Sequence, residues 1–150
     1  MTRFFIRAIA LALTLSTASC GLSVLQLAQY DVAISADVIA ASNAVWPAIL
    51  GMIPAASQPQ AQKDFNLAIL AISTQEAVVQ DAINAGQSQN LATELAALDD
   101  AITKIVTLID AFQNATKISD PTIVSAIAEL HARAALAHQR NSATRARMVR

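Results

Sequence analysis

Between residues 91 and 112, apolar side chains recur at alternating spacings of four and three: Leu91, Leu95, Leu98, Ile102, Ile105, Ile109 and Phe112. On a helix of 3.6 residues per turn this run draws one continuous stripe. On a strand, whose side chains alternate every second residue, it would scatter over both faces. A stripe sustained over three heptads packs at shallow crossing angles against neighbouring helices. It suits an intrachain bundle and a homo-oligomer alike.

The rest of the chain repeats the rhythm. Residues 59–85 place Phe65, Ile69, Ile72, Val79 and Ile83 on one face, with Glu76 at the remaining step. Glu76 is expected to snorkel from the edge of that seam, or, if buried, to pair with a residue such as Lys104 and set the helix register. Pro59 suits a helix start, where its missing N–H costs nothing, and Gly86 with Ser88 reads as a C-cap and an N-cap across a tight turn. Asp120-Pro121 opens a further helix with Ile123, Ile127, Leu130, Ala134 and Ala137 on its face. The first segment, about Leu22 to Val45, is broader: Leu25, Val32, Ile39 and Trp46 recur every seven residues, widened by Val24, Leu27, Ile34 and Val38. Pro47 is expected to kink or end it, and Gly51, Pro54 and Pro59 to mark a longer connection. The expectation is an all-α, antiparallel, up-down-up-down four-helix bundle. With only 3 glycines and an aromatic content of 4%, the composition favours helices over a sheet sandwich.

Two stretches stand out as surface. Val38 to Gln62 carries no charge, and its first nineteen residues, to Ala56, are long enough to test as a membrane span. Ser42, Asn43, Pro47, Gly51 and Pro54 interrupt it, which favours a helix followed by an apolar loop. In that loop Trp46, Ile49, Leu50, Met52 and Ile53 either cap the open end of the bundle or rest on lipid or a partner. The second stretch is basic. From Cys20 to Ala132, eleven acids face Lys63, Lys104 and Lys117, a net of −8, whereas Arg133 to Arg150 holds five arginines and no acid. Residues 141–150 read as a basic, flexible tail, and Arg140, Arg145, Arg147 and Arg150 as a surface for anionic lipid or an acidic partner.

The first nineteen residues follow other rules. Arg3 and Arg7 precede a short apolar run, Ala8 to Leu15, and then the small residues Ser16, Thr17, Ala18 and Ser19. This is the layout of a secretory signal, with an apolar run too short to span a bilayer. Cys20, the only cysteine, follows directly, so no disulfide is available. Residues 1–21 resemble the lipobox of bacterial lipoproteins, where the signal is cut before a cysteine that takes the acyl chains. Ala18 and Ser19 match that pattern. Thr17 stands where a bulky aliphatic residue is usual, which leaves ordinary cleavage after Ala18 as the alternative. The resemblance implies export, lipidation at Cys20 and a periplasm-facing membrane anchor. Gly21, rather than Asp, points to the outer membrane over the inner one.

The chain then divides into a signal peptide (1–19), a bundle domain (20–140) and the tail (141–150). No catalytic constellation is expected. His131 and His138 lie on one face but about 10 Å apart along the axis, too far to share one ion, and neither HExxH nor ExxH occurs. Asp99 and Asp100 are adjacent and point apart on a helix. No GxSxG or phosphate-cradling glycine loop is present. Neither metal nor cofactor is expected, and export argues against nucleic acid as a partner. The expected function is a non-catalytic lipoprotein adaptor of the cell envelope. The alternatives are a phage- or prophage-encoded membrane-active or exclusion lipoprotein and a soluble periplasmic bundle that binds a small ligand.

Overall fold

The computed structural model describes residues 22–149, and within them the chain forms four helices and no strand: α1 (Val24–Met52), α2 (Gln58–Asn84), α3 (Ser88–Thr116) and α4 (Pro121–Met148). Successive helices run antiparallel, and α1 packs on all three others. The expected up-down-up-down bundle is what forms.

The ends of the helices follow from local chemistry. Ser23 caps α1 through a reciprocal pair: its hydroxyl accepts from the Gln26 amide at 3.3 Å, and the Gln26 side chain accepts from the Ser23 amide at 2.9 Å. The α2–α3 turn closes by two backbone bonds, Gln87 N to Ala82 O at 2.9 Å and Gly86 N to Ile83 O at 3.0 Å. Gly86 adopts φ +66°, a conformation that a side chain would disfavour. Ser88 is the first helical residue here and Gln87 the cap. Asp120 caps α4 by accepting from Thr122 N at 2.8 Å and Ile123 N at 3.3 Å, with Pro121 in the first turn.

The α3 stripe is the centre of the core. Leu91, Leu95, Leu98, Ile102, Ile105 and Ile109 are all fully buried, against Ile72 and Val79 of α2 and Leu130 of α4. On α1, however, the interior seam runs Ala28, Asp31, Ser35, Val38, Ser42, Val45 and Ile49. The expected line through Leu25, Val32 and Ile39 is only half-buried, at the edge of that seam.

Two expectations are corrected. Pro47 neither ends α1 nor opens a loop, because the helix continues to Met52. Beyond the proline, burial of Ile49 and Ile53 holds the helix on the bundle, and Trp46 stacks on Phe65 with centroids 4.3 Å apart and meets Phe112 edge-on at 5.5 Å. The Trp46 indole N–H donates to Gln62 at 2.9 Å. Trp46, Ile49 and Ile53 are therefore buried at the far end of the core; Leu50 is half-buried and Met52 stays 44% exposed. The second correction concerns residues 141–148. They are helix, not flexible tail, with Asn141 and Thr144 buried at the steps that follow Ala134 and Ala137.

Candidate functional site

Polar side chains gather in the half of the bundle that holds the start of α1 and the end of α4. α4 buries its last large apolar side chain at Leu130; from there Ala134, Ala137, Asn141 and Thr144 carry the seam inward. Little apolar area is gained over these turns, so polar contacts must supply much of what holds them.

One carboxylate takes most of that load. Asp99 of α3 meets three residues of α4. His138 Nδ1 lies 2.6 Å from Oδ1, Asn141 Nδ2 donates to the same oxygen at 3.3 Å, and Arg145 Nη2 is 3.5 Å from Oδ2. Arg145 Nε also donates to the Asn141 carbonyl at 3.4 Å, so this side chain folds back along its own helix. Four residues of two helices thus form one connected cluster, half-shielded from water.

Deeper in, Asp31 of α1 is fully buried and faces Arg140 of α4, Nε to Oδ1 at 3.5 Å, a separation of an ion pair wider than a hydrogen bond. Burial pushes the Asp31 carboxyl above the usual carboxylate range, opposed by the Thr144 hydroxyl and by the Arg140 guanidinium. Such a pair is costly to desolvate and more costly to break, since one charge would then stay inside unpaired. Glu76 of α2 is half-buried and takes a hydrogen bond from the Ser35 hydroxyl at 2.7 Å, not from Lys104. Burial raises its pKa as well, against the opposing effect of Ser35. The Ser35 hydroxyl also lies 2.7 Å from the Val32 carbonyl.

His131 and His138 are held by separate acids. His131 Nε2 lies 2.8 Å from Asp110, eleven residues along α3 from the Asp99 that holds His138. Among the described residues no group of three or more His, Cys, Asp or Glu side chains is placed to hold a metal ion. An open concavity at the α2–α3 turn is lined by Gly86, Gln87, Ser88, Gln89 and Asn90, none of them ionisable. What the polar cluster can do is fasten helices. Asp99 with His138 joins α3 to α4, Asp31 with Arg140 joins α1 to α4, Glu76 with Ser35 joins α1 to α2, and each sets the register of its two helices.

The proposed surface residues separate accordingly. Arg140 turns into the bundle, Arg145 folds along its own helix towards Asp99 and stays partly exposed, Arg147 lies in the last turn of α4 and has a partner of its own, and Cys20 and Arg150 fall outside the described residues. Asp31, Ser35, Asn141 and Thr144 escaped the sequence reading, although each stands at a regular seam step. Their polarity hid them from a search for apolar periodicity.

No family model, no curated protein and no solved structure matches the chain.

Proposed function

We propose that this protein is a small lipoprotein, acylated at Cys20, whose bundle stands against a membrane and acts as a non-catalytic adaptor for other proteins of the cell envelope. The observation that carries the reading is the junction between the signal features and the fold. Ser19 and Cys20 are followed only by Gly21 and Leu22 before Ser23 caps a 29-residue helix. An acyl group at Cys20 would therefore hold a rigid body near the bilayer, with almost no linker to let it reach away. The polar clusters support a non-catalytic role, since Asp99, Asp31 and Glu76 are each engaged in joining one helix to another.

The test compares intact mass and membrane fractionation for the wild type and for Cys20→Ala. The expected wild-type product begins at Cys20, carries the mass of the acyl chains and sediments with membranes. The alanine variant is expected to stay unprocessed or to leave the membrane fraction. An unmodified chain that begins at Ser19 and is soluble in both versions would refute the anchor.

A further inference from the structure

Asp31 has more hydrogen-bonding capacity than its surroundings use. It is fully buried at an interior step of α1, and among the described residues neither of its carboxylate oxygens has a hydrogen-bond partner. Arg140 of α4, whose Nε lies 3.5 Å from Asp31 Oδ1, likewise has its buried Nε and Nη2 unpartnered. Asn141, next along α4 and 1% exposed, gives Nδ2 to Asp99 while its Oδ1 takes no hydrogen bond. Five buried polar atoms on three side chains therefore lack a mate.

This is rare in a folded chain. Nearly all buried polar groups are satisfied, and charged ones are the most costly to leave otherwise. The pair cannot satisfy itself at its separation. An N–H···O bond needs about 2.7–3.2 Å, and a carboxylate accepts several bonds where Nε–H gives one.

The chemistry of the five atoms restricts what answers them. Three are acceptors, the two Asp31 oxygens and Asn141 Oδ1, and two are Arg140 donors. A cation would stand against Arg140 and an anion against Asp31. An apolar molecule would satisfy neither. The ligand that fits is small and neutral, and it donates and accepts at once. Water has these properties, and a buried water makes about three hydrogen bonds to groups of this kind. We propose that ordered water is bound inside the bundle between α1 and α4, accepting from Arg140 and donating to Asp31, with the Asn141 carbonyl as a further acceptor.

The place of the site in the fold gives it a gate. On α1, Ala28 and Ser35 are buried one turn to either side of Asp31, and on α4 Asn141 and Thr144 are buried beyond Arg140. Water reaches such a site when the last turns of α4 lift from the bundle. Those turns are fastened by Asp99 through His138, Asn141 and Arg145. The residence time of the bound water is then set by the same contacts that hold residues 138–148.

The experiment is nuclear magnetic resonance on the full chain in a Cys20→Ser background. The expected result is cross-relaxation between long-lived water and the amide protons of residues 31, 140, 141 and 144. Oxygen-17 relaxation dispersion should count at least one water held longer than the protein takes to tumble. Asp31→Leu combined with Arg140→Met replaces both charges by apolar groups, stranding neither, so the helical circular dichroism should persist while the water signal disappears. Asp99→Ala should retain the water but shorten its residence by roughly tenfold or more, in step with amide exchange in residues 138–148. A wild type without long-lived water at these residues would overturn the proposal, whatever the fate of the double variant. So would a water signal unchanged in a folded double variant. A residence time indifferent to Asp99→Ala would overturn the gate.

Discussion

Glu76 shows how a single charged residue sits at a seam position without being expelled. Its helix turns it inward between Ile72 and Val79, and Ser35 supplies a donor. Burial still raises its pKa above the usual carboxylate range. The folded state therefore holds the proton more tightly than the unfolded chain, and this residue's contribution to stability grows as pH falls from neutral through its folded-state pKa. At neutral pH the ionised form weighs against the fold. Glu76→Gln keeps an acceptor for Ser35 and removes the charge, so it should raise the Tm by a few degrees at pH 7 and by less near pH 4.5. Thermal melts at the two pH values check this; an equal shift at both would mean that burial of the charge is not the cause. Asp31 obeys the same sign, but its partner Arg140 would be stranded by its removal.

At the scale of the element, α4 is two helices in one. Its first half is held by Ile127 and Leu130, its second by alanines and by polar contacts that converge on Asp99. Segments with few buried apolar contacts open at lower free energy than the core. Asp99→Ala should therefore speed amide exchange in residues 138–148 by roughly tenfold or more, leaving Leu98 to Ile109 of α3 protected. Exchange that rose equally throughout the bundle would show that the half-helix has no independent fastening. α1 makes the complementary point. Pro47 inside a helix costs about 3 kcal/mol or more in isolation, yet the helix runs on to Met52. The tertiary packing of Trp46, Ile49 and Ile53 outweighs a strong local signal to stop.

For the whole molecule, the antiparallel order brings the last turns of α4 beside the first turns of α1. Residues 141–148 lie against the start of α1, where the Thr144 hydroxyl meets the Asp31 carboxylate, and they bury Asn141 and Thr144. Truncation after Arg140 should then lower stability by about 2 kcal/mol or more, read as a loss in urea midpoint with the slope little changed. A freely solvated tail would leave the midpoint where it was. The same order leaves α3 and α4 carrying most of the charged pairs.

How much of this was legible beforehand differs by kind of signal. The helices, their order, the α2–α3 turn and the Asp120 cap followed from periodicity and end chemistry, because these depend on residues within a turn or two of each other. The same rhythm passes through Asp31, Ser35, Asn141 and Thr144, but a search for apolar steps ends where polarity begins. Only the approach of a second helix reveals that a polar step is interior. Asp99 could not be recognised as the point where His138, Asn141 and Arg145 meet, since those contacts span about forty residues of chain. Likewise Trp46 could read as part of a surface loop or, more readily, as the cap of a core, and its burial was decided by Phe65 and Phe112 closing on it. The sequence alone determined that residues 22–149 make four helices and in what order, because helix formation is local. The tertiary structure decided which polar residues turn inward and which apolar ones stay out, because burial depends on what the other three helices bring.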